Sequence, residues 1–313
     1  MRRRRTLPIA AALWVLAATT ALAASTPIAV KTTARDEVRP VAEDDWFAWS
    51  QTPVRKTSPF DLYAQRNGGK AFRVNRKAYA GGIDGTTLVY HTIRGTHPRL
   101  SDLKLFDLST RRPKPLPVGV NSRRWECCGT ISGNWLLFGR GRPSSTGRQL
   151  VLLWNLVTGE QRVIDALQAH RGQLHAAQLN GTFAVWWRCN PWPQCRVFRY
   201  DVASASTTAL TIPAGKIAYA ASVNQFGTVY YAQRGGGCGN EVELMKQALI
   251  GPPELLATLP PGRDVGVSYA HAPASKPPSD LVTTHVYFDQ RACGKQRRWD
   301  IYRVDDTVRI PGP

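Results

Sequence analysis

Residues Ile131–Arg140 read ISGNWLLFGR, and residues Leu150–Glu160 read LVLLWNLVTGE. In the first, a Ser-Gly-Asn turn precedes a short apolar run. In the second, an aliphatic and aromatic run ends in a turn rich in Asn, Thr and Gly. Both read as short strands bounded by turn formers. The pair recurs along the chain. IDGTTLVYHTIR from Ile83 goes with DLKLFDLSTR from Asp102, and LNGTFAVWWRC from Leu179 with CRVFRYDVAS from Cys195. VNQFGTVYYAQR from Val223 goes with EVELMKQALIG from Glu241, and SDLVTTHVYFDQR from Ser279 with WDIYRVDD from Trp299. An earlier, less regular copy is EDDWFAWSQ from Glu43 with FDLYAQRNGG from Phe60.

Aligned on Phe106, Trp154, Tyr200 and Lys246, the copies are spaced by 48, 46 and 46 residues. A period in the forties with several short strands per unit is the signature of radially repeated sheets. Asp-Gly, Ser-Gly and Asn-Gly fall between an entry strand and the apolar strand, where two-residue hairpins need positive φ. The apolar strands (LVLLW, FAVWW) are near-continuous rather than alternating, as strands covered on both faces are. A β-sandwich would leave clean alternation on most strands. The expected fold is therefore all-β, a six-bladed β-propeller of four-stranded antiparallel blades over residues 36–313. Either the final TVRIPGP or the PIAVKT stretch from Pro27 is expected to complete the last blade, since an open ring would expose sheet edges.

These turn-then-strand units, with their "DLKLFDLST" type of second strand, resemble the repeats of TolB-like, or WD40-like, six-bladed β-propellers. The resemblance covers nearly all of the chain after residue 36 and implies a docking platform. It has departures. Only Ile83-Asp84-Gly85 keeps the Asp-Gly of the usual turn, and the turns at Gln225-Phe226-Gly227 and Pro277-Pro278-Ser279 are irregular. No segment could encode the α/β domain that TolB carries ahead of its propeller.

The first 24 residues hold four arginines, an apolar run and Ala21-Leu22-Ala23, the layout of a cleaved export signal. The run is shorter than the roughly 20 residues a spanning helix needs, and no other segment is apolar enough to cross a bilayer. Whether export follows the general or the twin-arginine route stays open. Residues 25–35 are small and polar and read as a linker. The formal charge is +19, or +15 without Arg2–Arg5. Such an excess attracts polyanions in general, and with no basic run after the signal it is spread over the surface.

Export places the six cysteines where disulfides persist. Cys189 and Cys195 flank a Pro-Trp-Pro turn between two strands of blade four. Antiparallel partners stand roughly 4.5–5.5 Å apart, within disulfide reach, so this pair reads as a staple. The five-residue gap without a nearby histidine does not suit zinc. Cys238 and Cys293 occupy comparable loops in blades five and six, where a bridge between adjacent blades is one possible pairing. Cys127-Cys128 lies on the entry strand of blade three; a vicinal disulfide, bridges to Cys238 and Cys293, and simple burial are all open.

Catalytic machinery is hard to find. The chain has no nucleophile elbow, His-Glu-x-x-His motif, phosphate-binding loop or dinucleotide fingerprint, and no metal or cofactor is expected. His91 and His285 read as packed or surface residues. Glu43, Glu126 and Asp264, on innermost strands, are the candidate carboxylates for a glycan hydrolase or lyase, the alternative function. Asp61, Asp102, Asp201 and Asp300 fall at strand ends of the repeat and read as structural. The binding candidates are Trp192, a rigid aromatic between two prolines, and the arginines around blade three: Arg123, Arg124, Arg140, Arg142 and Arg148. The expected function is a non-enzymatic extracytoplasmic module, a monomer, binding a protein or an anionic envelope polymer without specificity for nucleic acid.

Overall fold

The computed structural model describes residues 25–53, 60–93, 101–141, 147–191, 193–272, 281–293 and 298–309. They form six four-stranded antiparallel sheets. The first strand of the chain, β1 (Ile28–Lys31), belongs to the last sheet. Blade one is β2 (Glu37–Glu43), β3 (Trp46–Gln51), β4 (Asp61–Arg66) and β5 (Phe72–Asn75). Blade two is β6 (Ala78–Asp84), β7 (Thr87–Ile93), β8 (Ser101–Asp107) and β9 (Arg112–Lys114). Blade three is β10 (Glu126–Ser132), β11 (Trp135–Arg140), β12 (Arg148–Asn155) and β13 (Gln161–Gln168). Blade four is β14 (Gln173–Asn180), β15 (Phe183–Cys189), β16 (Cys195–Asp201) and β17 (Ser206–Ala209). Blade five is β18 (Lys216–Val223), β19 (Val229–Gly235), β20 (Val242–Gln247) and β21 (Glu254–Leu259). Blade six is β22 (Arg263–His271), β23 (Leu281–Ala292) and β24 (Trp299–Arg309), completed by β1. One 3-10 turn, Ala169–Arg171, is the helical element among the described residues.

The ring is closed by β1, which pairs Ile28 with Arg303 and Lys31 with Ile301. Of the two expected closures it is therefore the N-terminal one, and the stretch read as a linker over 25–35 carries this strand. Thr307–Arg309 instead extend β24.

The expected hairpins are present. Gly85, Gly133 and Gly181 take φ of 56°, 55° and 58° in the turns after β6, β10 and β14. In blade one Asp44 fills the same position with φ of 45°. In blade five the longer turn is organised by Asn224, whose Oδ1 accepts from the Phe226 and Thr228 amides. The core lies between blades rather than within one. Val89, Leu103 and Leu105 of blade two pack on Ile131, Leu136, Phe138 and Leu152 of blade three. Burial on both faces explains the near-continuous apolar strands.

Every innermost strand carries a one-residue bulge at the same depth, beginning after Val38, Ala80, Cys127, Ala176, Tyr219 and Val265. A bulge bends a strand and re-aims its side chains, and here the bend faces the axis. Small residues are needed where neighbouring strands converge: a Cβ on Gly81 would meet the Gly129 carbonyl oxygen at 1.9 Å. Past the bulges, two side chains cross the axis. The Tyr269 hydroxyl donates to the Ile83 carbonyl at 3.2 Å. Gln178 donates to the Ala270 carbonyl at 2.7 Å and accepts from the Val223 and Ala270 amides at 3.0 Å each. The axis is thus bridged on the side where the innermost strands end.

Candidate functional site

Strand order sorts the connections onto two faces. Innermost strands start on one face, which also receives the links between blades and the loops joining second to third strands. We call it the loop face; the other holds the short turns. Glu126, Arg140, Arg148, Asp264, the Cys189–Cys195 hairpin and Cys238 with Cys293 all lie at strand ends on the loop face. Glu43, at the end of β2, lies on the turn face.

Arg123 and Arg124, in the link from blade two to blade three, are exposed, as is Arg148. Arg140 differs. Its Nε donates to Glu126 at 3.0 Å and its Nη2 to the Val120 carbonyl at 2.8 Å. It fixes the base of the link instead of facing a partner. Trp192 and Arg142 lie outside the described residues. The stapled hairpin is built by the Cys189–Cys195 disulfide and by Asn190 N–H donating to the Gln194 carbonyl at 2.9 Å. Beside it, Arg188, Asn190, Gln194, Cys195 and Arg196 line a depression of about 420 Å³. Arg188 is anchored to Asp165 at 3.1 Å, and Asp165 also accepts from Trp186 Nε1 at 2.7 Å. Arg196 is exposed.

The three candidate carboxylates are committed to neighbours. Glu126, fully buried, takes Arg140 and the Ser122 hydroxyl; burial pushes its carboxyl above the ordinary range, with Ser122 and Arg140 opposing. Asp264 takes Arg234 at 3.0 Å, Arg291 at 3.4 Å and the Tyr219 hydroxyl at 3.3 Å. Glu43 accepts from His271 Nδ1 at 3.0 Å, while His271 Nε2 accepts from the Asp44 amide at 3.0 Å. Both ring nitrogens of His271 are thereby occupied, so the cluster Glu43, Asp44 and His271 ties blade six to blade one. A fourth acid, Glu37, was missed by sequence reading. It is buried at the start of β2 and accepts from Gln51 Nε2 at 3.0 Å. His91 is buried and stacked on Tyr79, and His285 pairs with Asp305 at 2.7 Å.

At the axis, between the loop face and the Tyr269–Gln178 layer, lies a cavity of about 210 Å³. Its wall is rich in Ala and Gly from the innermost strands, with no carboxylate among the described residues lining it. Larger groups reach it as well. Arg39, on the blade-one bulge, takes φ of 54°, in the left-handed region, and extends a guanidinium over Tyr79 at 5.4 Å. His175 stacks on Trp187 with centroids 4.0 Å apart. Cys128 brings its Sγ to 3.7 Å from Arg39 Nη1 and 2.6 Å from Cys127 Sγ. The hydrogen bond shared with Cys127, and the charge of Arg39, lower the Cys128 thiol pKa. Burial, and then Arg39, lower His175 to about 4, so its ring is neutral at pH 7. Cys238 bonds to Cys293, one of the pairings the sequence left open, which removes the option of bridges from Cys127-Cys128 to that pair.

No family model matches the chain, and no curated protein matches it. Solved structures do. TolB from Acinetobacter baumannii aligns with a TM-score of 0.50 at 14% identity, over 85% of this chain and 64% of that one. A structure from a study of two prolyl endopeptidases aligns at 0.51 and 13% identity, over 84% of this chain and 42% of that one. An oligogalacturonate lyase in complex with manganese aligns at 0.46 and 9% identity, over 86% of each chain. This chain thus spans under two thirds of the TolB and endopeptidase chains. At such identities the likeness is one of fold, and propellers of this fold serve both binding proteins and enzymes. In architecture the chain is a six-bladed β-propeller, the fold it shares with TolB.

Proposed function

We propose that the chain is a non-enzymatic extracytoplasmic propeller that docks a protein or an anionic cell-envelope polymer on its loop face. The observation that supports this reading is the axial wall, which has no carboxylate among the described residues lining it, while each candidate acid is held by its own partners on one face or the other. A glycosidase needs two carboxylates converging on one bond, roughly 5 to 10 Å apart. The loop face instead offers Arg123, Arg124, Arg148 and Arg196 to solvent beside a stapled hairpin and a depression. Exposed guanidinium groups in this number favour anionic surfaces through long-range attraction and bidentate contact. The two disulfides and the signal-like residues 1–24 support a place outside the cytoplasm, and no helix among the described residues is long and apolar enough to cross a membrane. We take the mature chain to act as a monomer without a cofactor.

The test is retention of the purified mature chain on envelope fractions and on isolated anionic wall polymers, at low and high salt. Retention is expected to fall steeply with salt, and the double variant Arg123→Glu with Arg124→Glu is expected to weaken it about tenfold at low salt. Release of reducing or unsaturated ends from an acidic or neutral glycan by the purified chain would overturn the reading.

A further inference from the structure

Apart from docking on the loop face, we propose that the axial cavity is a binding site for a small organic carboxylate, held by the guanidinium of Arg39. A guanidinium has five N–H donors. Among the described residues, the side chain of Arg39 has one hydrogen-bond acceptor, the Cys128 sulfur at 3.7 Å, besides the Tyr79 ring beneath it. Enclosing a cation without a carboxylate is costly, because lost hydration is returned only by an anion with good geometry. Arg39 is half-buried and lines the cavity.

Two further observations point to a ligand. The Asp289 carboxylate accepts from the Arg39 backbone amide at 2.8 Å, so it is engaged at the main chain. The His175 ring beside the cavity is neutral, so Arg39 supplies the net positive charge at its wall. The space also fits: about 210 Å³ corresponds to about seven waters at ~30 Å³ each, room for a compact organic acid. Tyr269 closes it toward the turn face, so the acid enters from the loop face. There its carboxylate meets Arg39 through paired N–H donors, while the His175–Trp187 stack and the Ala and Gly wall cover its body.

The Cys128 sulfur stands 3.7 Å from the same guanidinium. An acid bound at Arg39 therefore blocks approach to the sulfur. The experiment is ligand-observed NMR on the full chain with acetate and benzoate, each compared with its neutral amide. Iodoacetamide labelling of Cys128, mapped by mass spectrometry, follows in parallel. The expected result is saturable binding of the acids, at least about tenfold tighter than of the amides, with slower labelling when an acid is present. Arg39→Met should remove the acid preference, while Arg123→Met with Arg124→Met should leave it intact. Equal binding of acid and amide by the unaltered chain overturns the proposal, even if Arg39→Met fails to fold. So does acid binding that survives Arg39→Met.

Discussion

Glu126 and Arg140 show how single residues set the loop face. Glu126 is fully buried, and Arg140 is its cation. Removing one member of a buried pair leaves the other without compensation, so Arg140→Ala is expected to cost about 3 kcal/mol by denaturant unfolding and to loosen the link carrying Arg123 and Arg124. Because burial raises the folded-state pKa of Glu126 above 4.5, its ionisation opposes folding. The stability of the unaltered chain relative to Glu126→Gln is therefore greatest below pH 4.5 and declines as pH rises through the folded value. Denaturant midpoints of both proteins across pH 4 to 7.5 would show whether the gap closes in that direction. His175 works with the opposite sign. Its pKa is about 4 folded against an ordinary 6.5, so its contribution is present above pH 6.5 and is lost as pH falls toward 4, by no more than about 3 kcal/mol. His175→Gln should flatten the fall in melting temperature over that interval. An unchanged slope would mean that another buried group, such as His91, controls acid lability.

At the scale of elements, the two disulfides differ in what they constrain. Cys189–Cys195 closes a gap of 6 residues and Cys238–Cys293 one of 55. On the chain-entropy view the first contributes about 2 kcal/mol and the second about 4 kcal/mol. Unfolding midpoints of Cys189→Ser/Cys195→Ser and Cys238→Ser/Cys293→Ser should separate in that order. Deleting residues 25–32 removes β1 and leaves β24 as a bare edge. The lost ladder bonds are worth about 2–3 kcal/mol, and an unpaired edge invites association between chains, which sedimentation would detect. Much of this level was legible beforehand. Gly85, Gly133 and Gly181 mark hairpins because few other residues take positive φ cheaply, and the Cys189–Cys195 staple follows from loop position, whereas Cys238–Cys293 was one of several open pairings. The six bulges were not legible. They are made by residues as unlike as Arg39-Pro40, Gly81, Cys128-Gly129 and Ala177, since what they share is a place against neighbouring strands and not a side-chain type. Arg39 was missed for that reason: in a chain with 41 basic residues, only its place at the axis distinguishes it, whereas the cluster around Arg123 and Arg124 stands out as charge.

For the whole molecule, radial repetition decides where chemistry can occur. Blades bury their flanks against one another, so variation is left to the loop face and to the axis, and the two readings proposed here fall in those two places. They respond differently to added salt. Attraction between exposed groups is screened over about 8–10 Å at physiological strength, while an enclosed pair is screened much less. Retention on an anionic polymer should therefore collapse between 50 mM and 500 mM salt, while carboxylate binding at Arg39 declines only modestly. Equal losses would place both on the exterior.

The closing strand has one more consequence. Because β1 runs antiparallel to β24, Ile28 begins and Arg309 finishes toward the turn face, the side remote from the arginine-bearing links. A handle fused at either end thus holds the molecule with its basic side outward. A bead or sensor chip coupled through the termini presents the same surface that a chain anchored at its amino end would offer to its surroundings.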